Sequence, residues 1–568
     1  MSSSDRSPYL TATTLDQDFL DNCHDNLSNK LEIIANIETP TGTIYASDIN
    51  KYVGSVFYEA ICVFPSINRL LGEWLSGAIE FSSLQLELSN VDGRFNPFLP
   101  SGSGFSGWIG KEVELKIGLR DVSSTYFTIF KGEITDIGGL ERKTDTITVI
   151  VRDTYDSLKD NFPSEVFDEV GFVDLEDDKI GLAKPIIYGD WTTAVNPDAA
   201  SIPCFPVNGE NAGVLAGTTN LETVISYNTL KTFDNTSVYL YRGDTYYLFD
   251  SADITNIHAN KNAFDIKQIS TGGVTLIEGV KYTYVSGDQF FCKVEGEDLS
   301  GYDSNAVWIA RHILITYGGL SAGDIDANWE TYRDKSTPSE SAIASINTRV
   351  WIQNPSPIID YAVSLLSQVR LEAFISRELK LKLNSLHYDD FVSSPTHELK
   401  NWDVEKGSFQ PKLDERNNFN RANAAFNFRP DKGENANLTP FFKNTAAITQ
   451  AGRTLSKTIV FPNLYSQATV ETQLKEVLKL SSAYAEIITV NTTWRSLLLD
   501  LGDFVKLDVD IGSTAFSDVP AMIRNVGHNP QGFSLSLVLW SFQMFPFTGW
   551  NPGYSGITGG ASATITQE

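Results

Sequence analysis

Several stretches between Ile109 and Val151 alternate apolar and polar residues, and the same pattern returns near the other end of the chain. Ile109-Gly110-Lys111-Glu112-Val113-Glu114-Leu115-Lys116-Ile117 alternates almost throughout. Residues 126–130, 132–137 and 146–151 read as three more strands, and residues 79–90 as a long strand before them. Successive side chains of a strand point to opposite faces, so each stretch has one apolar face to hide. Several such strands must cover one another, which predicts a small antiparallel barrel.

The second occurrence is more specific than alternation alone. Leu501-Gly502-Asp503-Phe504-Val505-Lys506-Leu507 echoes Ile109-Gly110-Lys111-Glu112-Val113-Glu114-Leu115. About twenty residues on, Ala521-Met522-Ile523-Arg524-Asn525-Val526 echoes Gly132-Glu133-Ile134-Thr135-Asp136-Ile137. Residues 533–539 then echo 146–151. The chain therefore reads as two barrels of one design, far apart in sequence.

Between them the pattern changes. Residues 306–314 and 357–366 place apolar residues at helical spacing, and 470–485 is a further helix candidate. Residues 371–375 and 379–383 read as a strand pair, and 15–29 as a short polar helix. Residues 553–568 are mostly Gly, Ser, Thr and Ala, which predicts an extended or flexible arm. With 33 Phe and 22 Tyr against 3 Met, the composition favours pleated, half-buried surfaces. The fold class expected is mainly β with α+β insertions: two tube-like antiparallel β-barrel domains plus intervening mixed domains.

Charge and motifs narrow the function. The chain carries 44 Lys plus Arg against 71 Asp plus Glu, a formal net charge of −27 over 568 residues. That balance argues against binding nucleic acid or an anionic membrane, since both need clustered Lys and Arg. No apolar run reaches the roughly 20 residues of a spanning helix. The start, Met1-Ser2-Ser3-Ser4-Asp5-Arg6, does not read as a secretory signal. The scattered Cys23, Cys62, Cys204 and Cys292 form no CxxC and are expected as free thiols in a reducing cytoplasm.

Catalytic spacings are equally absent. There is no HExxH and no GxSxG, and the Asp324-Ile325-Asp326-Ala327-Asn328 start of a calcium loop is broken by Trp329 and Lys335. His312 is expected as a satisfied core or boundary residue, and His387 with Asp389 and Asp390 as a solvated loop. The acidic run at 174–178 is expected as a solvated turn. No catalytic, cofactor-binding or metal residue is assigned, and no enzyme activity is expected.

Taken in order, these segments resemble tail hub proteins of tailed bacteriophages (baseplate hub or tail tip). Leu86-Glu87-Leu88-Ser89-Asn90-Val91-Asp92-Gly93-Arg94-Phe95, then Gly110 to Leu115, then Ile129-Phe130-Lys131-Gly132-Glu133-Ile134, resemble the first hub barrel. Residues 152–158 look like the exit from that barrel, Lys184-Pro185-Ile186-Ile187-Tyr188-Gly189-Asp190 resembles a stretch common in the family, and 501–507 with 521–539 look like the closing barrel. The resemblance does not extend to residues 205–300, where no motif is shared that can be quoted.

The resemblance implies a division into residues 1–165 (N-terminal hub barrel), 166–300 (β-rich insertion), 301–400 (mixed α+β), 401–547 (C-terminal hub barrel) and 548–568 (extended C-terminal arm). It implies a homotrimer whose paired barrels form a pseudo-sixfold ring closing the distal tail tube and adapting it to a threefold central fibre or spike. The implied partners are the chain itself, a distal tail or tail tube protein, a tape measure protein, and the central fibre or spike, with phage DNA only in transit. The implied place is the distal end of the tail in the virion, after assembly in the host cytoplasm. An acidic lumen, 3 × −27 = −81 for the trimer, would repel DNA phosphates during genome ejection; a neutral or basic lumen would sink that hypothesis. Asn90, Asp92, Gly93, Phe95, Trp550 and Tyr554 are the interface candidates. Two rival expectations remain: another tail component, such as a distal tail ring or receptor-binding tip, or a polysaccharide-degrading enzyme.

Overall fold

The computed structural model describes residues 31–71, 83–96, 107–119, 122–138, 145–164, 166, 180–183, 186–191, 299–336, 342–376, 379–387, 397–405, 407–408, 410–413, 418–430, 433–482, 486–492, 499–511, 514–529, 534–541 and 565–567, with short strands between 202 and 292. The expected 15–29 helix, the 174–178 acidic run, Cys23, Cys204, Trp550 and Tyr554 lie outside the described residues.

The first part is a nine-stranded sheet. Its strands are β1 (Leu31–Thr39), β2 (Gly42–Ser47), β3 (Lys51–Val53), β4 (Val56–Ala60), β5 (Cys62–Val63), β7 (Ser83–Ser89), β8 (Glu112–Leu119), β9 (Val122–Gly138) and β10 (Thr146–Asp153). They lie in the order β3-β4-β2-β1-β8-β9-β10-β7-β5. Strand β6 (Ile67–Leu70) leaves this sheet and pairs elsewhere. The alternation Leu84, Leu86, Leu88 on β7 and Ile147, Val149, Val151 on β10 puts each of these side chains in the core. Segments 126–130 and 132–137 are halves of the single strand β9, joined without a turn.

The other end of the chain builds a second sheet from His397–Lys400, Phe504–Ile511, Thr514–Asn529, Ser534–Ser541, Glu486–Thr492 and Gln410–Leu413, in that spatial order. Between the two sheets in sequence lies a helical layer. Helices Ala306–His312, Asn328–Arg333, Ile358–Gln368 and Gln467–Ser482 bury Val307, Ile309, Trp329, Leu365, Leu366, Leu474 and Val477 in one core. The hairpin Leu371–Ile375 with Leu381–Ser385 and the sheet around Arg421–Arg429 share that core.

The mainly β architecture with α+β insertions is as the sequence implies. Closure is not: among the described residues both sheets are open paths, with no hydrogen-bonded pairing between their outermost strands. The apolar faces of the two sheets belong to one continuous core, which joins Ile33, Leu86, Val113 and Val149 to Ile488, Val490, Val505 and Ile523. Each sheet hides its apolar side chains in this shared core without pairing its outermost strands. Ile565–Gln567 is a strand pairing antiparallel with Phe442–Asn444.

Candidate functional site: a duplicated β unit and the seam between its copies

The two echoed segments are copies in three dimensions, down to individual hydrogen bonds. Trp108, Ile109, Gly110 and Lys111 form a turn closed by the Lys111 N–H to the Trp108 carbonyl at 3.1 Å. Asp500 to Asp503 form the same turn, closed at 3.3 Å. Both glycines sit at φ +77°, the left-handed region where glycine alone is unstrained. Each glycine N–H then donates across the sheet, Gly110 to Ile134 at 2.8 Å and Gly502 to Ile523 at 2.9 Å. The return bonds match too: Ile134 to Lys111 at 2.9 Å and Ile523 to Asp503 at 3.0 Å.

The ladders beyond continue the match. Val113 faces Gly132 and Leu115 faces Phe130; Val505 faces Ala521 and Leu507 faces Val519. The register slips just past Leu115 in one copy and just past Leu507 in the other. A second bulge falls at Thr135, between Ile134↔Val151 and Asp136↔Ile150. Its counterpart falls at Arg524, between Ile523↔Leu539 and Asn525↔Val538. Bulges re-aim a strand and fix its register, so a shared pair of them marks a shared design. Leu84 and Leu86 on β7 also find counterparts, in Ile488 and Val490. The copies differ at the strand beside this motif: β1 runs antiparallel to β8, while His397–Lys400 runs parallel to Phe504–Ile511.

Strand β6 joins the copies. It lies between β5 and β7 in sequence yet pairs antiparallel with the second copy, Leu70 opposite Asn525 and Ile67 opposite His528. The ladder ends with the Leu71 N–H donating to the Arg524 carbonyl at 2.8 Å. Beside it, the Arg69 guanidinium meets the Asp500 carboxylate at 2.7 Å, with side chains 7% and 14% exposed. Arg524 also turns its side chain the other way, onto the buried Glu372 carboxylate at 2.6 Å. One bulge residue thus ties the second copy to β6 through its backbone and to the Leu371–Ile375 hairpin strand through its guanidinium. Asn384 adds a contact from its amide to the Met522 sulfur at 2.8 Å.

The loop after β7 holds four of the interface candidates. Asn90 is buried and acts as its staple. It accepts the Phe95 N–H at 2.9 Å, donates its amide to Asn96 at 2.8 Å, and its own N–H reaches the Asp145 carbonyl at 2.7 Å. Gly93 takes φ +72° at the turn. Phe95 is buried with its ring edge-on to Trp108, centroids 6.0 Å apart. Asn90, Gly93 and Phe95 therefore shape the loop from within, because an amide staple and an apolar ring are worth most when dry. Of the four, Asp92 alone is an exposed side chain. It accepts the Arg94 N–H at 3.1 Å and Arg94 Nε at 2.6 Å. The Arg94 backbone N–H, then its guanidinium, hold the Asp92 carboxyl below its ordinary range. Arg94 also grips Glu59 through both terminal nitrogens, at 2.6 and 2.8 Å.

Residues singled out for other chemistry have structural partners. Asp324 caps Ser321, and Asp326 accepts the Asn328 N–H at 2.9 Å. Asn328 pairs with the Leu383 backbone in both directions. His312 lies 3.1 Å from the Tyr188 hydroxyl and 3.1 Å from the Thr316 hydroxyl, and burial lowers its pKa. His387 is buried rather than in a solvated loop, 4.0 Å from Glu476, because the hairpin carries it under the Gln467–Ser482 helix. Cys62 is a buried free thiol whose pKa burial pushes up. Among the described residues no group of three His, Cys, Asp or Glu could hold a metal ion, and no helix is long and apolar enough to cross a membrane. The seam residues Arg69, Asp500, Arg524 and Glu372 escape sequence reasoning. The one available signal is Arg524, the single charged residue in the echo segment 521–526.

No family model and no curated protein matches the chain. Solved structures do. The chain is similar to a tail protein from Neisseria meningitidis MC58, with 9% identity over 90% of this chain and 96% of that one, TM-score 0.39. It is similar to the 43 kDa tail protein of prophage MuSo2 from Shewanella oneidensis, with 10% identity, 90% and 98% coverage and TM-score 0.36. It is also similar to a prophage tail protein from Listeria monocytogenes EGD-e, with 9% identity, 90% and 95% coverage and TM-score 0.33.

Proposed function

We propose that this chain is the structural tail hub of a tailed phage. Three copies form a ring at the distal end of the tail tube. Each copy supplies two like β units, so three copies present six, and a sixfold tube meets a matching rim. The helical layer and the 202–292 strands occur once per copy and give the opposite side its threefold character, suited to a central fibre or spike. The distal tail or tail tube protein, the tape measure protein and the fibre are the neighbours on this reading. DNA passes through the lumen without being held, and the acidic composition keeps the wall unsticky. The role is structural, without catalysis.

The observation that carries the reading is the duplication: two sheets in one chain with the same glycine turn, the same register and the same pair of bulges. A pseudo-sixfold ring built from three chains requires such a repeat. The sequence resemblance to hub proteins, stated from short motifs in order, points the same way.

Native mass of the purified full chain tests it. A trimer is expected. A hexamer would identify a distal ring instead, and a monomer at all concentrations would overturn the ring. Turnover of a cell-wall or capsular glycan, lost on changing one carboxylate pair, would favour the enzyme reading.

A further inference from the structure

The duplication leaves one edge unequal. In the second copy, residues 525–528 of the Thr514–Asn529 strand are covered by β6. Their counterparts in the first copy begin at Asp136 and Ile137 on β9. On that side of β9, no strand pairs with residues 135–138 among the described residues. Among the described residues, the same backbone in the same register is therefore paired once and unpaired once.

Hydrogen-bond geometry says which groups wait there. The Leu71 N–H bonds to the Arg524 carbonyl, so Arg524 and Leu71 are a hydrogen-bonded pair. Alternation along an antiparallel ladder makes Val526 opposite Arg69 the next such pair. The counterpart of Val526 is Ile137. Its N–H is met by the side chain of the preceding residue, Asp136, at 2.8 Å. A flexible carboxylate thus stands where the second copy has a strand carbonyl. Exposed edges are commonly held this way against indiscriminate pairing.

We propose that residues 135–138 of β9 receive a strand from a second copy of this chain, repeating between copies the contact that β6 makes within one. The argument for that occupant is continuity. The step from first unit to second is made by strand addition inside the chain. A ring of alternating first and second units needs the same kind of step from each second unit to the next first unit. Asp136 swings off the Ile137 N–H as the incoming carbonyl takes its place. This inference rests on the trimer proposed above.

The test places the photo-crosslinker p-benzoylphenylalanine at Thr135, which is exposed and whose counterpart is the larger Arg524. Full-length chain is prepared as an equal mixture of light and heavy nitrogen, assembled, and irradiated. Light–heavy crosslinked peptides are expected, joining residue 135 to another copy. Same-isotope links alone would show that the edge is covered by its own chain. No link in a particle of trimer mass would also overturn the proposal, while leaving the trimer standing. A monomeric mass would sink both. As a second measurement, Asp136→Ala in the trimer should leave the Ile137 amide protected from exchange to within about twofold, because the partner strand supplies the acceptor. A rise of tenfold or more in its exchange would show an open edge.

Discussion

Arg69→Ala tests the seam between the two units. It removes the guanidinium 2.7 Å from Asp500 and leaves the carboxylate behind. Breaking a fully buried pair costs roughly 3–5 kcal/mol, and losing a hydrogen bond to a charged group roughly 1.5–3. Asp500 keeps a bond from the Leu501 N–H at 2.8 Å and a side chain 14% exposed, so its charge is not stranded. The lower range applies, and about 2 kcal/mol is expected. The loss falls on the β6 ladder, which has only four residues. Amide exchange reads it directly, because local opening is governed by local stability. At about 1.4 kcal/mol per tenfold, exchange at residues 67–71 and 525–528 should quicken about 30-fold. Exchange in β8 and β10 should stay within about twofold, since their own ladders are intact. In the cycle with Asp500→Ala, the double variant should cost clearly less than the two singles added. Unchanged exchange at the Leu71 amide, equal quickening throughout the first sheet, or strict additivity would each refute the reasoning.

Three further outcomes follow from the same geometry. Alanine at Gly110 or Gly502 enters a left-handed turn at a cost of roughly 1–2 kcal/mol. Only at Gly502 would its Cβ also press on Phe374 at 3.0 Å and Asn384 at 3.2 Å, so Gly502→Ala should lower the denaturant midpoint more than Gly110→Ala; equal shifts would contradict the packing. Phe95→Ala should cost about 3–5 kcal/mol in chemical denaturation, as for other buried aromatics, and a loss below about 1 would mean the ring is not in the core. Asp92 has a lowered folded pKa, so what it adds to the loop is present above the unfolded Asp value and fades as pH falls through the lowered one. A carbon-detected titration should place its midpoint below the ordinary Asp value of about 3.9, returning there in Arg94→Ala.

How far the sequence reaches depends on the range of the force that sets each feature. The strands around Val113, Leu115, Val505 and Leu507 are legible because burial of alternate side chains is a local pattern. The duplication is legible because a left-handed glycine recurs at the third position of both turns. The β6 pairing is not, because four residues reach a strand more than 400 positions away and carry no alternation of their own. Nor is the openness of the sheets, which depends on what covers their faces. The candidate site divides in the same way. Asn90 and Gly93 announce a loop. Whether Phe95 faces the core or a neighbour is decided by Trp108, on another segment.

Thr135 and Arg524 occupy the same bulge, and their difference has a consequence for any ring the units build. A bulge residue has no opposite number on the strand it bulges from, so its side chain can change while that pairing stays as it was. One unit has a small hydroxyl there, and the other a tether to Glu372. Six similar units in a circle would then not be interchangeable. Every second one would be moored to the hairpin that carries Glu372 and the others would not, so such a circle would carry a threefold rhythm in its fastenings while its strands keep a sixfold beat.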